Sequence, residues 1–214
     1  MVAKSNSIPY LSGLSLAYSM WLSGCLASSP KDPFDIETTQ EQIVVERSKA
    51  SAPDWISLST GILVDSGSEL RLMTRRSKLL NLTLGLEQSQ IAALDAMRLA
   101  MTEKIQAQLQ IWANDSGIKS TKAAKWQKLV FESVSTVGAE KLKVRDIYYE
   151  GVDDRLARSG SPFMHYYSVY VLIAYAKADF RAIYQDLASR LAVNDDAELK
   201  RLAMTVTRFS GTLP

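Results

Sequence analysis

Apolar positions recur every three or four residues between Ser89 and Trp112, which predicts one buried stripe along an amphipathic helix. The stripe consists of Leu94, Met97, Met101, Ile105, Leu109 and Trp112. A second helix is predicted to begin at Ser120 or Thr121, whose hydroxyls suit an N-cap, and to end at Gly138 as a C-cap. Its apolar side carries Trp126, Leu129, Val130, Val134 and Val137.

Alternation of apolar and polar residues predicts the strands. It is present in residues 69–75 and in 79–86, where leucines alternate with Asn81, Thr83 and Gly85, although a leucine-rich stretch is also compatible with a helix. Residues 141–152 and 161–176 are rich in β-branched and aromatic residues, and the turn-forming residues 158–162 lie between them. An antiparallel hairpin is therefore expected.

Two more helical segments are expected at about residues 178–192 and 196–208. The predicted fold class is α+β, with a small, mostly antiparallel sheet and helices packed on one of its faces. The hydrophobic fraction of 47% is sufficient for one buried core. The order of elements places that single domain at residues 53–214.

The N-terminal part of the chain has a different pattern. No charged residue lies between Lys4 and Lys31, and the apolar run is diluted by serines. It is too short and too polar for a membrane span, but it has the layout of a secretion signal. The run ends in Leu22, Ser23, Gly24 and Cys25. The alternative is a buried, inert cysteine in an N-terminal helix.

The sequence Leu22-Ser23-Gly24-Cys25 resembles the bacterial lipobox. The resemblance implies that Cys25 receives a diacylglycerol thioether, that the chain is cut before it, and that the new amine is acylated, with palmitate as a typical chain. Residues 1–24 would then be a signal peptide. By the same resemblance, Leu26 in place of aspartate favours the outer membrane.

Residues 25–52 are predicted to form the lipidated terminus and a flexible tether, because proline, serine and charged residues dominate this stretch. Only residues 43–45 are suited to a short strand or to local packing. The tether would hold the domain in the periplasm, with the membrane as a partner through the lipid anchor.

Charge and the absence of known sequence motifs argue against several classes of ligand. The chain has 25 basic and 23 acidic residues, a balance that argues against a nucleic-acid partner. The dense basic clusters are Arg75-Arg76-Ser77-Lys78 and the stretch from Lys119 to Lys128. We find no phosphate-binding loop and no dinucleotide fingerprint, and we expect no cofactor.

A single histidine, His165, rules out a multi-histidine metal site, so no metal is expected. A Ser-His-Asp triad could include Asp146 or Asp153, but the sequence has no nucleophile elbow. The carboxylates Asp146, Glu150, Asp153 and Asp154 could flank a sugar, as paired acids do in glycosidases. Solvation of a loop is the commoner role of such acids, and no catalytic residue is predicted.

Tyrosines are concentrated on the two strands of the predicted hairpin. Strand alternation distributes them over both faces of the sheet, and those on an open face would form a partner surface. The candidates are Tyr148, Tyr149, Tyr166 and Tyr170. The alternative is that the C-terminal helices or the tether cover them.

Several motifs together resemble the LPP-twenty family of bacterial outer-membrane lipoproteins, which includes flagellar ring lipoproteins of the FlgP type. They are LSGC, PDW at 53–55, IAALDAMRLAM, VRDIYYEGV and HYYSVYVLIAYA. The resemblance implies a non-catalytic protein-binding or assembly component of an envelope structure such as the flagellum, with a homo-oligomer as one arrangement. The alternatives are an accessory regulator of peptidoglycan synthesis and a cell-wall hydrolase.

Overall fold

The computed structural model describes residues 41–118, 123–155 and 164–211, all of which belong to one compact unit. Five strands form one antiparallel sheet in the order β1-β4-β5-β3-β2. They are β1 (Glu41–Arg47), β2 (Leu63–Ser66), β3 (Glu69–Leu79), β4 (Val144–Arg155) and β5 (Met164–Ala176). The α+β fold class and the antiparallel β4–β5 hairpin are thus confirmed.

Helices cover one face of the sheet. They are α1 (Leu82–Asp115), α2 (Ala123–Ser133), a π-helical turn (Val134–Gly138), α3 (Ala139–Lys141), α4 (Lys177–Ala192) and α5 (Ala197–Ser210). A short 3₁₀ helix, Asp54–Ser57, precedes β2. Within the described ranges, none of these helices combines the length and apolar character that crossing a bilayer requires.

The hydrophobic core lies between the sheet and α1, α2, α4 and α5. The stripe predicted on α1 faces it: Met97, Met101, Ile105 and Leu109 are fully buried and Trp112 is nearly so. Alternate residues of β3 and β5, among them Leu72, Val171 and Ile173, supply the opposite wall. The periodicity of these segments therefore identified the core correctly.

The strand predicted for residues 79–86 is wrong. Strand β3 ends at Leu79, and α1 begins at Leu82. Asn81 is the N-cap, and its side-chain oxygen accepts a hydrogen bond from the Leu84 amide at 3.0 Å. Because leucine favours helix and the cap satisfies a free amide, the alternating leucines become the first turns of a long helix.

Gly138 is not the predicted C-cap. Its φ of −65° is right-handed, and the helical path continues through it to Lys141. A Cβ at this position would lie 3.2 Å from Cδ1 of Ile183 on α4. The glycine therefore allows close packing against α4. The predicted N-cap at Ser120 or Thr121 lies outside the described residues.

The predicted flexible tether, residues 25–52, is wrong for its last part. Residues 41–47 form edge strand β1, which pairs with β4 so that Glu41 stands opposite Arg155 and Val44 opposite Val152. Of the two alternatives for residues 43–45, a short strand or local packing, the strand is the one that forms. This pairing depends on a partner strand about a hundred residues away, which local composition does not reveal. Residues 1–40 lie outside the described ranges.

Candidate functional site

The four candidate tyrosines lie on two different faces of the sheet. Tyr148 stands opposite Tyr170, and Tyr166 stands opposite Val152, on the face that carries no helices. Tyr149 stands opposite Val169, which belongs to the core, so Tyr149 lies on the helix side. The four residues therefore do not form one continuous partner surface.

Burial removes two of the four tyrosines from the predicted partner surface. Tyr148 is fully buried and Tyr166 is 4% exposed, whereas Tyr149 and Tyr170 are half-buried. The Tyr148 and Tyr170 rings lie 5.8 Å apart, and the Arg75 guanidinium lies 5.3 Å from the Tyr170 ring. These contacts describe a packed aromatic cluster. The alternative that the tyrosines are covered is the better description of Tyr148 and Tyr166.

The Tyr148 hydroxyl donates a hydrogen bond to Glu150 at 2.8 Å. Burial, followed by this hydrogen bond, raises the pKa of Tyr148 to about 12. Burial likewise raises the pKa of Tyr166 and of Tyr170. These phenols are therefore held neutral and act as packing groups, and Tyr148 is also a hydrogen-bond donor.

Residues 48–62, here called the crossing segment, connect β1 to β2. These strands are the two opposite edges of the sheet, so the segment must cross it. It contacts the helix-free face at Asp146 and at Met73. These two residues lie in the same row across the sheet, since both stand opposite Leu172. The Thr60 hydroxyl lies 3.9 Å from the Met73 sulfur, and the Gly61 amide donates to the Met73 carbonyl at 2.8 Å.

Asp146 holds the other end of the crossing segment. Its two carboxylate oxygens each lie 2.6 Å from the Lys49 ammonium, and one of them accepts a hydrogen bond from the Trp55 indole at 2.9 Å. The hydrogen bond from Lys49 is the largest cause of a lowered Asp146 pKa, and the Trp55 and Ile147 donors add to it. Asp146 is thus an ionised anchor for the segment that crosses the tyrosine-bearing face.

The remaining candidate polar residues are also engaged. Glu150 accepts from Tyr148 and lies 3.8 Å from Arg47, while Asp153 contacts the exposed His165 at 2.8 Å. Asp154 is buried and has an interaction of its own. The helix-free face carries Asp146, Glu150 and Asp154, and Asp153 lies on the opposite face. The four carboxylates are therefore not gathered around one open cleft.

A groove between α1 and the α2–π-helix junction was missed by sequence reasoning. Its volume is about 500 Å³, and Leu99, Thr102, Phe131, Val134 and Ala139 contribute to its lining. Leu99 and Phe131 are 59% and 64% exposed. The available signal was that both residues are apolar yet fall off the predicted core stripes. This groove is an exposed concavity on the helical side, and its lining is largely apolar.

Cys25 and the three residues before it lie outside the described ranges. Among the residues that are described, no group of three or more histidine, cysteine or acidic side chains could hold a metal ion. No family model, no curated protein and no solved structure matches this chain. The likeness to the LPP-twenty lipoproteins therefore stays a prediction made from its motifs.

Proposed function

We propose that this chain is a lipoprotein anchored in the outer membrane through Cys25, and that its α+β domain binds protein partners of an envelope assembly in the periplasm. One observation carries the proposal: a short uncharged apolar run ends in Leu22, Ser23, Gly24 and Cys25, the pattern of a lipoprotein signal. The flagellum is one assembly to which the motif resemblance points.

The geometry supports a binding role in two ways. The polar side chains with catalytic potential are tied to structural partners, as Asp146 is to Lys49 and Trp55. The exposed side chains of Leu99 and Phe131 border a groove that an apolar side chain of another protein could enter. Burial of such residues on association is a favourable contribution to binding.

The anchor is tested by mass spectrometry of the protein extracted from separated inner and outer membranes. Wild type should be found in the outer membrane with the mass of a chain that begins at Cys25 and carries three acyl chains. The Cys25→Ser variant should keep the mass of the uncut chain and carry no acyl group. Identical, unmodified masses for the two proteins would refute the lipid anchor.

The binding role is tested by a photoactivatable amino acid placed at Phe131 in intact cells. Lys200, an exposed residue of α5, is the matched control position. We expect adducts with an envelope protein at position 131 that are missing at position 200. Adducts with peptidoglycan synthases would select the regulator of wall synthesis instead, and adducts with cytoplasmic proteins would contradict both readings.

A further inference from the structure

The chain enters the sheet at the same end at which β3 leads into α1. Strand β1 begins at Glu41, opposite Arg155 at the end of β4, and β5 begins at Met164, opposite Asp154. Leu79, the last residue of β3, stands opposite Tyr167 near the beginning of β5. One end of the sheet therefore combines the start of β1 with the β3–α1 junction.

This end carries exposed basic and apolar side chains together. Arg76 and Lys78 are exposed, and Leu80, Leu84 and Met164 are 77%, 51% and 53% exposed. These five residues are here called the basic end surface. Large apolar side chains that are exposed at one end of a domain often mark an interaction surface, so these residues are candidates for contact with a partner.

The local backbone holds these side chains outward. The β3–β5 register shifts between Arg76 and Leu79, and Lys78 has a φ of 60°, a left-handed conformation that a residue with a long side chain seldom adopts. This irregularity ends the strand so that Leu79 packs against Gly85 while Leu80 stays exposed. The exposure of Leu80 is therefore fixed by the chain path.

The β3–α1 junction is positively charged. Residues 75–86 contain three basic and no acidic side chains. The N-terminus of α1 lies here with no acidic residue in its first turn, so the positive end of the helix dipole is not compensated. Of the acids at this end, Glu41 stands opposite Arg155 and Asp153 contacts His165. Asp154 is buried with an interaction of its own, and Glu87 lies in the second turn of α1.

We propose that the basic end surface docks on the anionic phospholipid surface of the membrane that holds the lipid anchor. Basic side chains attract anionic headgroups, while exposed leucine and methionine side chains enter the boundary between headgroups and acyl chains. The position of the surface fits this occupant. Glu41 comes 16 positions after Cys25, so the chain between them spans at most about 55 Å.

The inference rests on the proposed lipid anchor for its biological setting, but its test does not use the anchor. The full-length Cys25→Ser chain cannot be acylated at that position but keeps its apolar leader, so the docking surface is measured by comparing variants that share this leader. Failure of vesicle binding would overturn the docking surface alone, and failure of acylation would overturn the anchor alone.

The first experiment measures flotation of the Cys25→Ser chain with phosphatidylcholine vesicles that contain phosphatidylglycerol. Each basic residue near an anionic surface contributes roughly fivefold to binding, so Arg76→Gln/Lys78→Gln should weaken it about 25-fold. Lys200→Gln/Arg201→Gln, which removes the same charge from exposed positions on α5, should leave binding unchanged. Equal binding of the two double variants would overturn the proposal.

The second experiment keeps every charge in place. Cys25 is the only cysteine, so Leu80→Cys in the Cys25→Ser chain carries a single environment-sensitive fluorophore. Its emission should shift to shorter wavelength with phosphatidylglycerol vesicles, and raised salt should reverse the shift. The same label at Val193, which is 82% exposed, should not respond. A silent label at position 80, or equal shifts with pure phosphatidylcholine, would refute docking.

Discussion

Replacing Asp146 by asparagine tests whether the crossing segment is held by an ionised anchor. The substitution keeps the size of the side chain but removes its charge and one of its two acceptor oxygens. Wild-type Asp146 uses one oxygen for Trp55 and the other for the Ile147 amide, and both contact Lys49. The variant therefore loses the ion pair and leaves either the indole or the amide without its acceptor.

The expected loss follows from these contacts. Hydrogen bonds to a charged group contribute roughly 1.5–3 kcal/mol, but an exposed ion pair contributes at most about 1 kcal/mol. The side chains of Lys49 and Asp146 are 39% and 34% exposed, so the lower figure applies to their pair. We expect Asp146→Asn to reduce the free energy of unfolding by about 1–2 kcal/mol near neutral pH, and Tm by about 2–8 °C.

The pH dependence has a defined sign. The Asp146 pKa is lowered in the folded protein, so its contribution is present above the unfolded-state pKa and is lost as pH falls through the folded value. The difference between wild type and Asp146→Asn should be full above about pH 5 and should shrink below about pH 4. Urea unfolding followed by circular dichroism, repeated over this range, measures it.

Glu103→Gln is the control, because Glu103 is an exposed carboxylate on α1 and its replacement also removes one negative charge. It should leave the free energy of unfolding unchanged within about 0.5 kcal/mol. Amide exchange in residues 48–57 should be faster in Asp146→Asn than in the control. Equal stability of the two variants, or a difference that persists in acid, would refute the role assigned to Asp146.

Three further predictions concern packing and the buried phenol. Gly138→Leu should destabilise the protein by about 1–3 kcal/mol in urea unfolding by overpacking the contact with α4, whereas Ser135→Leu on the exposed side of the same π-helical turn should not; equal effects would contradict this contact. Met101→Ala should cost about 2–5 kcal/mol and Leu99→Ala less than about 0.5, because the first is fully buried and the second 59% exposed; a reversed order in thermal unfolding would contradict the orientation of α1. Tyr148→Phe should remove one late-titrating phenol from the ultraviolet tyrosinate titration, because the Tyr148 pKa is raised from 10.0 to about 12. The contribution of the buried Tyr148 phenol to stability is present below about pH 10 and is lost toward pH 12. A tyrosinate titration that the substitution leaves unchanged would show that Tyr148 is not buried.

Local patterns predicted most of the elements because their causes are local. The three-to-four spacing on α1 requires one apolar face, and that face is buried at Met97, Met101 and Ile105. The alternating residues of β4 and β5 likewise pair as a hairpin. The predicted strand at 79–86 was wrong because, over so short a stretch, alternating leucines are compatible with both a strand and a helix. Asn81 favours the helix because its side chain caps the first turn.

The candidate site was less predictable, because faces and coverage depend on non-local pairing. Alternation showed that the tyrosines divide between two faces, but only the register with β5 assigns Tyr149 to one and Tyr148 to the other. The groove beside Leu99 and Phe131 requires α1 and α2 to lie together. The spacing of residues within either helix contains no information about the other.

The sequence by itself determined the helical stripes, the hairpin and the lipobox-like stretch before Cys25, since each depends on neighbours within a few residues. Tertiary structure decided that β1 joins the sheet beside β4 and that residues 48–62 cross its helix-free face to Asp146 and Met73. It also brought the start of β1 to the end of the sheet that carries Leu80. These arrangements arise from strand register between distant segments, which is set by burial and hydrogen bonding in the assembled sheet.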